Sequence, residues 1–168
     1  NPNLVMVSVS CYGNTGPLAD RPGAGTLAEA FGGLTFMTGE ADGPPMLPSI
    51  PLGDSLSALS GVIGALVACY HNKVNGGGGQ HVDVSFYEPV LTLLQPTIIA
   101  YDESSGDPPP MRTGSRIPTG VPRNVYRTSD DRWVAVSASS ISIATRVMRL
   151  VGRPDLAEQR WFATGNDR

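Results

Sequence analysis

At 168 residues, 40% of them apolar, the chain has room for one ordinary domain or parts of two and can bury a core. A formal net charge of −3 without clustered Lys or Arg argues against a nucleic-acid partner. Two cysteines and two histidines supply neither a disulfide framework nor an all-protein metal cluster, so no metal site is expected.

The chain opens on Asn1-Pro2 without a basic, apolar leader, as expected of an internal start. Residues 4–9 form a Val-rich run without two-residue alternation and read as a buried, parallel strand. The strand runs into turn material from Tyr12 and Gly13 to Pro17. A helix is expected over 26–31, capped by Thr26 with Glu29 three residues on, and ended by Gly32-Gly33. Pro48 and Pro51 keep the next segment extended up to Gly53.

The best helix pattern follows. Asp54 is expected at the N-cap, with Leu59, Val62, Ile63 and Leu66 recurring at helical spacing. Ala58, Gly61, Ala65 and Ala68 give a second, small-residue surface suited to packing on a sheet and another helix. The apolar stretch 56–70 falls short of the ~20 residues a bilayer needs, so no membrane span is expected. Gly76 to Gly79 lack the Gly-Lys-Ser/Thr ending of a phosphate loop and stand between helix and strand, which favours a plain turn. Residues 80–86 alternate as a half-exposed strand, and a further helix is expected over 88–99. Residues 102–110 read as a linker of charges, Ser, Gly and Pro. Beyond it, 124–128 and 133–137 read as an antiparallel hairpin packed by Trp133, followed by a helix over 143–150 and a helical turn from Pro154. The fold class is α/β, with residues 1–100 in one domain, 101–123 as interdomain linker and 124–168 opening a smaller α+β unit.

In order, these landmarks resemble the family III CoA-transferases, the group of formyl-CoA and crotonobetainyl/carnitine CoA-transferases. The resemblance rests on Asn1-Pro2-Asn3-Leu4-Val5, Ser8 to Pro17, Ala28 to Leu34, Asp42-Gly43-Pro44-Pro45, Leu52-Gly53-Asp54-Ser55 and Gly79 to Ser85. It continues after the linker with Val125 to Thr128, Asp131 to Val136 and Gly152 to Leu156. It implies the middle of a Rossmann-like large domain and the start of the small one, in a cytoplasmic homodimer of interlocked subunits. Coenzyme A thioester would be substrate rather than tightly bound cofactor, with a small carboxylic acid as acceptor.

The resemblance places Asp54 as the nucleophile that attacks an acyl-CoA thioester, passing through aspartyl anhydride and aspartyl-CoA thioester intermediates. A carboxylate suits that role, because it is ionised at neutral pH and needs no separate base. Local physics alone supports a simpler role, a helix cap contributing ~1 kcal/mol. Backbone around Tyr12, Gly13, Gly32 and Gly33 is a candidate for contacts to the thioester, against plain turn geometry. Glu29 reads as a capping or solvated side chain, against a partner near the site, since in such a fold its helix should pass close to Asp54; Arg112 and Arg116 are candidate anion contacts. The rival is an α-methylacyl-CoA racemase, whose paired acid and base would fall near Ala24 and Gly25, neither of which carries a proton-transferring side chain. A non-catalytic scaffold homologue is the third reading.

Overall fold

The computed structural model describes residues 1–106, 108–117 and 120–163. They form two compact units, Asn1–Arg112 and Thr113–Arg168.

The first unit is built around two parallel strands, β1 (Val5–Ser10) and β2 (Gln80–Ser85), in register from Val5 opposite Gln80 to Ser10 opposite Ser85. Parallel neighbours require a long crossover. Here it holds α1 (Gly25–Phe31), the short α2 (Leu34–Met37) and α3 (Leu52–Asn75). After β2 comes α4 (Tyr87–Ala100), whose start is tied by Ser85: its hydroxyl accepts from the Glu88 N–H and donates to Glu88 Oε2 at 2.7 Å. The parallel pairing matches expectation, but β1 is not buried: Met6 and Val9 stay about half exposed. One paired strand and the helices around it do not cover both faces.

The 24-residue α3 is longer than the sequence pattern predicted, and by length and composition alone it could cross a bilayer. The extension corrects the count made on residues 56–70. Its buried positions are small: Gly53, Ser57, Gly61 and Ala68. A Cβ on Gly61 would lie 3.5 Å from Val7 Cγ1, and one on Gly64 would lie 2.7 Å from Val82 Cγ1. The helix therefore lies close across both strands because these side chains are nearly absent. The small-residue surface expected to suit a sheet is the one that meets it at Gly61, and the large stripe faces outward, with Leu59 62% and Leu66 65% exposed. Gly76, at φ 63°, ends the helix in the left-handed conformation, as a C-terminal glycine does.

The glycine turn delivers the chain onto β1. Gly79 donates to Pro2 O at 2.7 Å, and Gln80 to Leu4 O at 3.0 Å. A Cβ at 79 would overlap Leu4 O and stand 2.7 Å from Leu4 N, and backbone cannot step aside as a side chain can. Gly79→Ala is expected to cost about 1–3 kcal/mol by overpacking, seen as a lower urea midpoint.

In the second unit, β3 (Arg123–Arg127) and β4 (Trp133–Ser137) form the expected antiparallel hairpin, with Arg127 opposite Trp133. Trp133 does not pack it; the indole is 69% exposed. The core lies instead at Ala138, Ala144 and Phe162, which bring α5 (Ile141–Leu150) against α6 (Pro154–Ala157) and the turn over Arg160–Ala163. Ser140 begins α5 two residues earlier than predicted, its hydroxyl accepting from the Ile143 N–H at 3.3 Å.

Candidate active site

Pro51, not Asp54, precedes the first helical residue of α3, and no side chain caps the helix. Proline at this point presets the backbone and starts the helix early, which moves Asp54 to the third helical position. The carboxylate thus remains in the first turn, where the helix dipole favours an anion. It is exposed, and its side chain takes no hydrogen bond among the described residues. A cap would have spent one of its oxygens on the backbone. Here both remain available to a ligand.

The neighbours of Asp54 come from α1. That helix begins at Gly25 rather than Thr26, without a side-chain cap. Glu29 does not close a capping box. It is 2% exposed, and Oε1 accepts the Gly53 N–H at 2.7 Å. The first N–H groups of any helix lack intrahelical partners. In α3, Leu52 donates to Ile50 O at 2.8 Å and Gly53 uses Glu29. Gly25 meets the carboxylate itself: a Cβ there would overlap Oδ2 of Asp54 and stand 2.6 Å from Cγ. A Cβ on Gly53 would lie 2.8 Å from Gly25 O, so the two helix starts touch through bare backbone.

The loop after β1 reaches this place indirectly. The Asp83 carboxylate on β2 accepts the Asn14 backbone N–H at 2.8 Å and its side-chain amide at 2.7 Å, fixing the turn around Gly13. Buried Cys11 donates weakly to Ala24 O at 3.8 Å, and a Cβ on Gly23 would lie 3.5 Å from the Tyr12 ring. Tyr12 itself packs edge-on against Phe31, which packs on Tyr87, both at 5.2 Å between ring centres. Interaction with Cys11 raises the phenol above the ordinary tyrosine value of 10.0. Tyr12 therefore borders the 23–25 segment that touches Asp54, whereas Gly13 faces Asp83.

Gly32 and Gly33 lie at the other end of α1, about 10 Å along the axis from Gly25 at 1.5 Å per residue. They face α4: a Cβ on Gly32 would lie 3.0 Å from Val90 Cγ1, and one on Gly33 would lie 3.6 Å from Leu94 Cδ1. They help line an apolar cleft of about 360 Å³ with Phe36, Met37 and Leu94. Arg112 donates to Phe36 O at 2.8 Å and stacks over the Phe36 ring, while Arg116 Nε donates to Thr113 O at 3.2 Å. Among the described residues no cluster of three or more His, Cys, Asp or Glu could hold a metal.

The family model of CoA-transferase family III matches residues 1–168, and the chain belongs to that family. Succinyl-CoA–D-citramalate CoA-transferase of Chloroflexus aurantiacus is 41% identical over 98% of this chain and 40% of its own length. Acetyl-CoA:oxalate CoA-transferase of Acetobacter aceti is 31% identical over 100% of this chain and 42% of its own. The crystal structure of a CaiB/BaiF family protein from Brucella suis superposes with a TM-score of 0.75 at 28% identity, covering 100% of this chain and 43% of that one. The chain thus spans about two fifths of the length of these relatives.

Proposed function

We propose that this protein moves coenzyme A from an acyl-CoA thioester to a small carboxylic acid, with Asp54 as the covalent nucleophile. The observation that carries the reading is the contrast between two carboxylates at one helix start. Glu29 is buried and spent on backbone, whereas Asp54 is exposed and takes no side-chain hydrogen bond among the described residues. In a family III chain whose relatives are named for succinyl-CoA and acetyl-CoA as donors, that free carboxylate is the group to receive an acyl unit.

In the first step an Asp54 oxygen attacks the thioester carbonyl. The C–S bond breaks, CoA leaves as thiolate, and an acyl-aspartyl anhydride remains. The thiolate attacks the aspartyl carbonyl, giving an aspartyl-CoA thioester and releasing the first acid as carboxylate. The acceptor carboxylate then attacks that thioester, forms a second anhydride and frees the thiolate. Thiolate attack on the new acyl carbon yields the product thioester and restores Asp54. Every step exchanges one carboxylate or thiolate for another, so no net proton or electron is required. Backbone N–H groups near the Asp54 carbonyl are the natural stabilisers of the oxyanions that form. On this reading the working unit is a homodimer, in keeping with the family resemblance. Ala24 and Gly25 weigh against the racemase alternative, which needs a second proton-transferring side chain.

The full-length protein is incubated with succinyl-CoA, quenched with hydroxylamine and digested for mass spectrometry. Hydroxylamine traps an activated aspartyl group as a hydroxamate, so the peptide bearing Asp54 gains that modification only when thioester is present. No modification and no CoA exchange across a panel of small acids would sink the proposal. Solvent deuterium entering the α-carbon without CoA exchange would replace it with isomerase chemistry.

A further inference from the structure

We infer that Glu29 is a positioning residue for the reaction, aiming Asp54 through the peptide group of Gly53; the inference rests on the transferase reading above. Asp54 follows a glycine, the residue with the widest backbone freedom, in the first turn of a helix whose leading N–H groups have no intrahelical partner. Two contacts remove that freedom. The Glu29 carboxylate holds the Gly53 N–H at 2.7 Å, and Gly53 lies so close to Gly25 O that a Cβ would come within 2.8 Å of it.

The choice of side chain points beyond simple filling. A buried carboxylate without a donor carries a large desolvation cost, and the Gly53 N–H is the donor that Oε1 takes. A helix start also has other ways to satisfy one N–H, including a cap from its own loop or water. Instead, a side chain from a different helix reaches across, and the donor it selects is the residue immediately before the nucleophile. Serine alternatives nearby are already committed: Ser55 donates to Pro51 O and Ser57 to Gly53 O. Glu29 therefore couples the orientation of α1, and of Gly25 at its head, to the first turn of α3.

Three variants of the full-length protein test this: Glu29→Gln, Glu29→Met and Glu29→Asp. Each is read at a temperature where circular dichroism shows it folded, by single-turnover formation of the Asp54 hydroxamate from succinyl-CoA. Glutamine keeps an acceptor oxygen at the same reach and is expected within about 3-fold of wild type. Methionine keeps the volume without the acceptor and is expected to slow labelling and kcat by about 10- to 100-fold, as a misaimed reacting group does, with KM for succinyl-CoA within about 3-fold. Aspartate withdraws the acceptor by one methylene and should slow labelling at least about 10-fold; it carries the test alone if the methionine variant does not fold. Folded Met or Asp variants that label Asp54 at the wild-type rate overturn the inference while leaving the transferase reading intact. A wild-type protein that gives no Asp54 hydroxamate overturns the transferase reading, and this inference with it.

Discussion

Asp54→Ala in the full-length protein is expected to lower kcat for CoA exchange by roughly 10³-fold or more, with its thermal midpoint nearly unchanged. The kinetic loss is large because the deleted atoms are those that form the covalent bond, and no neighbour replaces them. Ser55 and Ser57 lie on the same first turns, but both hydroxyls are engaged with backbone carbonyls and would need a base that the site does not hold beside them. Glu29 is buried with Oε1 committed to Gly53. The stability effect is small because Asp54 is exposed and caps nothing; what it loses is a favourable position near the helix dipole, about 0.3–1 kcal/mol. Asp54→Glu separates charge from placement. It keeps a carboxylate but advances it by a methylene, and an intermediate loss of about 10²-fold is expected. Steady-state exchange with succinyl-CoA and a panel of small acids, alongside a calorimetric melt, checks both. Wild-type turnover in Asp54→Ala would remove this residue from the mechanism.

What the sequence discloses about this site is uneven, for a physical reason. Periodicity is local, so helices and strands were legible: the Val-rich β1, the Ser140-started α5 and the hairpin all stand within a few residues of expectation. Asp54 was singled out because it stands in an ordered series of landmarks spread across the chain, and that series is what the family match covers. Its local role was misread. Asp before a helical run is the commonest cap pattern, yet Pro51 starts the helix first and leaves Asp54 uncommitted. The local pattern favoured a cap for Glu29 over a place beside the site, for a related reason. Thr26 and Glu29 have the spacing of a capping box, but the acceptor was taken by a donor 24 residues away. Contacts of that range leave no trace in a single sequence, because neither Glu29 nor Gly53 differs from an ordinary residue until α1 and α3 meet. The small-residue surface of α3 was legible for the opposite reason: its spacing is local, and the close approach allowed by Gly61 and Gly64 puts it on the sheet while the large stripe faces outward.

Gly25→Ala should separate activity from stability in the opposite sense from a core substitution. An alanine Cβ at this position would overlap Asp54 Oδ2 and come within 2.9 Å of Oδ1, so one of the two groups has to move. The nearest atoms are the end of a short exposed side chain rather than backbone, and Asp54 can rotate away at little cost to the fold. Position 25 also opens α1, where alanine is a better helix former than glycine by up to about 1 kcal/mol. The thermal midpoint is therefore expected to hold or rise slightly. The carboxylate, once rotated, no longer points where Gly25 and the tethered Gly53 direct it, and a displacement of about 1 Å at a reacting atom costs on the order of 10²-fold. A rate loss of that size, with KM for succinyl-CoA little changed and an unshifted melt, is the expected result. A variant as fast as wild type would show that the close contact between Gly25 and Asp54 is incidental. A variant that melts early would show that the overlap is relieved by parting the helices instead. The first outcome would leave Glu29 alone to aim the carboxylate, and the second would make Gly25 a packing residue whose missing side chain is needed to bring α1 onto α3.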